Sequence, residues 1–134
     1  MTALIKKIYD AMENGEKTVT IKGTGVAFRE FLHSFDLADA ILHIMNIMHD
    51  KKSLPYHTIN VGSGIEYSIY EYAKMIADRL NYHVDIKTDP SYPDGMPRKL
   101  LDITKIRKFG WEHSISICDG IDQMIMEYER IRAI

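Results

Sequence analysis

The stretch that decides the predicted fold class is HTINVGSGIEYSIYEYAKMIADRL, residues 57–80. Its first five residues alternate in the manner of a short strand, and the glycine loop GSG at 62–64 follows directly. Ser68 and Glu71 have the spacing of a capping box, which predicts that a helix begins there. The helix then carries a predicted buried face made of Ile69, Tyr72, Ala73, Ile76 and Leu80. A strand, a glycine loop and a helix in this order favour an α/β fold.

The residues before this stretch predict two helices and two strands. Apolar residues recur at helical spacing over 3–11, and alternating β-branched residues over 18–22 and an extended segment over 28–33 predict strands around the turn Gly23-Thr24-Gly25. Asp36 is predicted to cap a second helix. That helix has a broad predicted buried face made of Leu37, Ala40, Ile41, Ile44, Met45 and Met48.

The residues after this stretch complete a small mixed α/β domain of short strands and about five helices. A strand is predicted over 84–87, a short helix over 102–109 before Gly110, and a last helix from a second capping box at 116–119. We expect one domain over residues 1–134. The strands are few for a free-standing doubly wound sheet, which predicts that the chain is part of something larger.

The composition narrows the function classes. Seventeen Lys and Arg against nineteen Asp and Glu give a formal charge of −2, so no global field favours nucleic acid or an anionic membrane. The single cysteine, Cys118, excludes an intramolecular disulfide. No apolar run approaches the ~20 residues that a membrane helix needs, and we expect a cytoplasmic protein.

Several kinds of site find no support in the sequence. Neither glycine loop, at 23–25 or 62–64, has the third glycine of a dinucleotide fingerprint or the lysine of a P-loop, so both are interpreted as turns. The six histidines have no zinc-like spacing, which argues against a metal site. No serine is set in a nucleophile elbow.

Cations and a constrained loop give the best candidate site. PDGMPRKLLD, residues 93–102, holds Arg98 and Lys99 on a loop constrained by Pro93 and Pro97 and suits an anion, although a solvated turn accounts for its composition equally well. Arg29 lies between Phe28 and further apolar residues and therefore requires an anionic partner. Lys7 and Lys22 complete the group. Each of these cations taken alone is typical of an ordinary surface charge.

Four stretches resemble a known family. GTGVAFREFLHSFDLADA (23–40), HTINVGSG (57–64), PDGMPRKLLD (93–102) and KIRKFGW (105–111) are similar to the carboxy-terminal portion of the GDP-L-fucose synthases, a branch of the extended short-chain dehydrogenase/reductase family of NAD-dependent epimerases and dehydratases. The resemblance covers nearly the whole chain. It implies a substrate-binding part of such an enzyme without its Rossmann domain.

The resemblance implies an activity that this chain does not complete alone. The family epimerises GDP-4-keto-6-deoxy-D-mannose at two carbons and then reduces it with NADPH to GDP-L-fucose. The family's NADP loop and its catalytic Ser, Tyr-x-x-x-Lys and Cys/His residues would all precede Met1. We therefore expect no cofactor bound by this chain alone, a GDP-sugar as ligand, and either a separate Rossmann chain or self-association as partner. The alternative is a non-catalytic nucleotide-sugar-binding or protein-interaction module.

Site residues follow from the resemblance position by position. Lys7 matches a cationic substrate contact of the family, Arg29 matches the arginine of its R-E-F segment, and Asp94 matches the aspartate of its P-D-G loop. Their chemistry agrees with this match, because Lys7 and Arg29 can neutralise a diphosphate and Asp94 can accept from guanine or ribose donors. Arg98 and Lys99 would support the loop or the same phosphates. Lys22, also assigned to the substrate site, stands where the family usually has tryptophan. Phe35 likewise replaces the first of two aspartates that precede the second helix in the family.

Overall fold

The computed structural model describes residues 1–51 and 55–133 and confirms a mixed α/β fold of short strands and five helices within those residues. In chain order the elements are α1 Thr2–Glu13, β1 Thr18–Lys22, β2 Phe28–Glu30, α2 Ser34–Lys51, β3 Glu66–Ser68, α3 Ile69–Arg79, β4 Asp85–Asp89, β5 Arg98–Lys99, α4 Thr104–Lys108 and α5 Ile117–Arg132.

The strands form two small sheets. β1 and β4 are parallel, and their register runs from Thr18 opposite Asp85 to Lys22 opposite Asp89. The second sheet has the strand order β3-β2-β5, and β2 pairs parallel with β5 so that Arg29 lies opposite Lys99. This pairing positions the candidate site.

The chain divides into two compact units. Unit 1 comprises Met1–Arg29, Tyr67–Lys99 and Cys118–Ile134, and unit 2 comprises Glu30–Glu66 and Leu100–Ile117. The expectation of one domain over residues 1–134 stays a prediction.

Unit 1 has its core where α1 and α3 meet the β1–β4 sheet. The buried side chains that these elements contribute include Ile5, Ile8, Val19, Ile21, Tyr72 and Ile76. The predicted capping box at the start of α3 is confirmed, since Ser68 Oγ accepts from the backbone N–H of Glu71 and the Glu71 carboxylate accepts from the backbone N–H of Ser68. The spacing in the sequence was enough to predict this capping box because its two residues lie within four positions of each other.

Unit 2 is built around a smaller apolar core. The core joins α2 and α4 through buried Ala40, Ile103, Ile106 and Trp111, with Leu32, Ile44, Ile59 and Val61 packed against them. Trp111 Nε1 also donates to Asp39 Oδ2 at 2.8 Å, which fixes the indole.

The strand predicted over 57–61 is wrong. The segment forms no strand, and among the described residues no backbone–backbone hydrogen bond involves it. Side chains hold it instead: Asn60 Nδ2 donates to the carbonyl of Asp102 and Lys105 Nζ donates to that of Thr58, both at 3.1 Å. Ile59 and Val61 still turn toward the core. The alternation of residues 57–61 therefore reflects the packing of every second side chain against the core and not strand pairing.

Two predictions about the second helix are also wrong. The helix begins at Ser34, and Asp36 lies in its first turn, 3% exposed, where its carboxylate accepts from Ser114 and Ile115. The broad apolar face is only partly buried. Ala40 and Ile44 reach the core, whereas four other members remain exposed: Leu37, Ile41, Met45 and Met48. These four residues are called the α2 stripe below.

Other boundaries differ by one to three residues. The strand predicted over 28–33 ends at Glu30, and the strand predicted over 84–87 runs over Asp85–Asp89. The short helix begins at Thr104 because Asp102 Oδ1 accepts from the backbone N–H of Thr104 in a turn that precedes the helix.

Candidate functional site

All six residues predicted for the substrate site lie in unit 1. They come from a helix, three strands and one loop: Lys7 on α1, Lys22 at the end of β1, Arg29 on β2, Asp94 in the loop before β5, and Arg98 and Lys99 on β5. Arg29 is half-buried and the other five are exposed.

Two loops of the site are clasped together through Asp94. Its carboxylate accepts from the backbone N–H of Thr24 at 2.9 Å and from Thr24 Oγ1 at 2.5 Å, and these hydrogen bonds hold the pKa of Asp94 below its ordinary value of 3.8. Gly23 has φ +79° and lies so close that an added Cβ would meet Asp94 Oδ1. The glycine turn and the PDG loop therefore form one surface. Sequence reasoning missed Thr24, because nothing local signals a partner seventy residues away.

Arg29 is anchored by two carbonyls and has no acidic partner within residues 1–51 and 55–133. Its Nη1 donates to the carbonyl of Phe28 at 2.5 Å and to that of Met96 at 2.8 Å. Among the described residues, no carboxylate forms an ion pair with it and its other guanidinium N–H groups find no acceptor. A half-buried guanidinium has five donors and a fixed charge, so the remaining donors suit an anion.

The parallel pairing of β2 with β5 adds a second cation at the same position. Arg29 and Lys99 are Cα partners in the ladder, and residues opposite one another on neighbouring strands project to the same face. Like charges directly opposite each other are unfavourable. An anion held between the two side chains would remove that repulsion.

The other predicted residues are less closely connected. Lys22 Nζ lies 4.5 Å from the centroid of the Tyr92 ring, and Arg98 lies opposite Phe28 in the ladder. For Lys7, the described residues provide no hydrogen bond or ion pair with the other five. The structure therefore connects Arg29 with Lys99 by strand register and the two loops through Asp94, and it leaves Lys7 apart. The roles of all six residues stay predictions.

No group of three His, Cys, Asp or Glu side chains in residues 1–51 and 55–133 is arranged to hold a metal ion. Within the same residues, no helix combines the length and hydropathy needed to cross a bilayer.

Comparison with known proteins identifies the family. The profile of the NAD dependent epimerase/dehydratase family matches residues 1–62. The GDP-L-fucose synthase of Escherichia coli K12 is 38% identical over 123 residues, which cover 89% of this chain and 38% of that protein. The chain belongs to the NAD-dependent epimerase/dehydratase family. A GDP-L-colitose synthase of Yersinia pseudotuberculosis is 43% identical over 121 residues, which are 90% of this chain and 38% of that relative.

Solved structures agree with this assignment. A GDP-mannoheptose C4 reductase from Campylobacter jejuni, solved with NADP bound, superposes with a TM-score of 0.75 at 35% identity, over 96% of this chain and 43% of the reductase. The chain thus spans less than half the length of these family members. NADP is a cofactor of the parent family.

Proposed function

We propose that this chain forms the substrate-binding portion of a GDP-L-fucose synthase-like enzyme, in which GDP-4-keto-6-deoxy-D-mannose undergoes NADPH-dependent 3,5-epimerisation and 4-reduction. The observation that carries the proposal is the pair of cations on β2 and β5: Arg29 and Lys99 are strand partners, and no carboxylate of the described residues pairs with Arg29. The names of the relatives support a GDP-sugar as the ligand.

The proposed role of this pair is to bind the diphosphate. The guanidinium of Arg29 is preorganised by the carbonyls of Phe28 and Met96, so little side-chain entropy is lost when its free N–H groups bind phosphate oxygens. Lys99 adds a second positive charge from the neighbouring strand. Asp94 has two bonds from Thr24 and, as a carboxylate, retains lone pairs that can accept from guanine or ribose.

The chemistry itself would come from a nucleotide-binding domain of the kind that fills the rest of the relatives' length. Hydride transfer requires a nicotinamide held against the sugar, and no residue of the proposed site is suited to that task. We propose that the chain without such a domain has no reductase activity and that the assembled enzyme works in the cytoplasm. The family's NADP would be held by that other domain.

The α2 stripe is the proposed docking surface for the nucleotide-binding domain. Leu37, Ile41, Met45 and Met48 are 44 to 58% exposed and recur every three or four residues, so they share one helix face. A contiguous apolar face of this kind marks an interaction site. A nucleotide-binding domain suits this surface because the chain matches only 38% of the Escherichia coli relative, and such a domain would account for the remaining length.

Calorimetric titration of the chain with GDP tests the ligand. We expect saturable heat, and about tenfold weaker binding for Arg29→Gln and for Lys99→Gln, since a hydrogen bond to a charged group contributes roughly 1.5–3 kcal/mol. Lys87→Gln, at an exposed lysine of β4 in the same unit, is the matched control and should bind as the wild type does. Absence of heat with the wild-type chain would refute the proposed ligand.

A chimera tests the docking. This chain would replace the matching 38% of the Escherichia coli GDP-L-fucose synthase, and NADPH oxidation would be followed with the keto-sugar substrate. We expect activity, its loss on Met45→Glu in the α2 stripe, and no loss on Met126→Glu, an equally exposed methionine of α5. A chimera that is inactive while the chain still binds GDP would favour the non-catalytic binding module. Stable dimers of the wild-type chain in light scattering, abolished by Met45→Glu, would instead favour self-association through the stripe.

A further inference from the structure

Tyr92 and Lys22 form an anchored cation–aromatic pair on the surface of unit 1. Lys22 Nζ lies 4.5 Å from the centroid of the Tyr92 ring, and the tyrosine is still 43% exposed. No hydrogen bond of the tyrosine hydroxyl is found among the described residues. A single exposed aromatic residue is ordinary, but the backbone around Tyr92 is held in place by its neighbours.

Asp89 holds both partners in position. Its carbonyl accepts from the backbone N–H of Gly23, which follows Lys22, at 2.9 Å and from that of Tyr92 at 3.3 Å. Its carboxylate accepts from the backbone N–H and the hydroxyl of Ser91, which fixes the turn at the end of β4. The ring is therefore presented on a built turn next to the end of β1.

The segments that carry the clasp also expose apolar side chains. Val26 beside the glycine turn is 64% exposed, Phe28 at the start of β2 is 40% exposed, and Met96, four residues after Tyr92, is 62% exposed. Met96 is also the residue whose carbonyl accepts from Arg29, so the loop of Tyr92 carries the anchor of the proposed phosphate-binding cation. An exposed ring on the same loop that anchors a guanidinium matches the chemistry of a nucleotide, which has a flat base and an anionic tail.

We propose that the Tyr92 ring, supported by Lys22, is the surface on which the base of a nucleoside diphosphate stacks. The inference rests on the proposed function and deepens it, because it assigns the base to a residue outside the six predicted ones. Stacking on an aromatic ring tolerates every base, since each base has a π-face. Tyr92 therefore supplies affinity for the nucleoside without selecting guanine.

The test compares GDP with inorganic pyrophosphate, which has the anionic tail but no base. In calorimetric titrations we expect Tyr92→Ala to weaken GDP binding by about tenfold, the loss typical of one base–aromatic stack, and to leave pyrophosphate binding unchanged. Tyr92→Phe keeps the ring and should bind GDP as the wild type does. The affinity of Tyr92→Ala for ADP should fall to the same extent as its affinity for GDP.

A spectroscopic readout separates stacking from a structural role. Tyr92→Trp places an indole at the site, and stacking of GDP should quench its fluorescence, whereas the natural Trp111 is buried in unit 2 and supplies a constant background. Equal GDP affinity for wild type and Tyr92→Ala, without quenching in Tyr92→Trp, would overturn this inference and leave the proposed function intact. Failure of the wild-type chain to bind either GDP or pyrophosphate would overturn both.

Discussion

Replacing the buried carboxylate of unit 2 by an amide should destabilise that unit strongly. Asp36 is 3% exposed, and its Oδ1 accepts from the backbone N–H and the hydroxyl of Ser114, both at 2.9 Å, while its Oδ2 accepts from the backbone N–H of Ile115 at 3.2 Å. Asp36→Asn keeps the shape but removes the charge and turns one acceptor into a donor that faces another N–H. One hydrogen bond to a charged group is lost and two are weakened, which predicts a loss of about 2–3 kcal/mol in the free energy of unfolding.

The pH dependence of this loss has a defined sign. Burial by itself would raise the pKa of Asp36, but the hydrogen bonds from Ser114 and Ile115 outweigh it and hold the pKa below 3.8. A carboxylate whose pKa is depressed in the folded state stabilises the protein at pH values above its pKa in the unfolded state. This stabilisation is lost as the pH falls through the pKa of the folded state. The difference in the free energy of unfolding between wild type and Asp36→Asn should therefore be largest at pH 7 and should shrink below about pH 4.

The natural tryptophan reports on the affected unit. Urea unfolding followed by fluorescence reads unit 2 through Trp111, the one tryptophan of the chain, which is 4% exposed. Glu112→Gln, at an exposed carboxylate of the same unit, is the matched control and should leave the midpoint unchanged. A shift for Asp36→Asn below about 0.5 kcal/mol at pH 7, or a shift that grows in acid, would refute the reasoning.

Two further predictions concern unit 1. Ser68→Ala should remove the N-cap of α3 and lower the free energy of unfolding by about 1 kcal/mol, measured by circular dichroism during thermal unfolding; an unchanged midpoint would show that the cap contributes nothing. Gly23→Ala should disrupt the clasp, because the new Cβ would collide with Asp94 at a backbone φ of +79°, and should weaken GDP binding together with stability. Gly15→Ala, at an equally positive φ but in open space, is its control and should lower stability without affecting GDP binding.

The sequence predicted those elements whose determinants are local. The capping box of α3 and the alternation of β1 needed only neighbouring residues, and both are present in the structure. Segment 57–61 has the alternation of a strand but lacks pairing within the described residues. Pairing depends on a neighbouring strand, which no local pattern supplies.

The second helix illustrates the same limit. Its apolar spacing predicted one buried face, but spacing alone does not say which partner covers each residue, and Met45 remains 58% exposed. Asp36 has the residue type of a cap, but it lies inside the first turn of the helix and its partners are nearly eighty residues away.

The sequence indicated the residues of the candidate site but not their arrangement. Arg29 and Lys99 were selected by charge and resemblance, whereas their opposition follows from the parallel pairing of β2 with β5, seventy residues apart. The bond from Arg29 to Met96 and the clasp from Thr24 to Asp94 are tertiary contacts that the sequence does not encode locally.

Titration of the wild-type chain and of Arg29→Gln with GDP is the most direct test of the central claim. A nucleoside diphosphate held by Arg29 and Lys99 predicts saturable binding whose affinity falls about tenfold in the variant and weakens with added salt, because phosphate contacts are screened. Binding that is indifferent to Arg29, or no binding by a folded wild-type chain, would contradict the account.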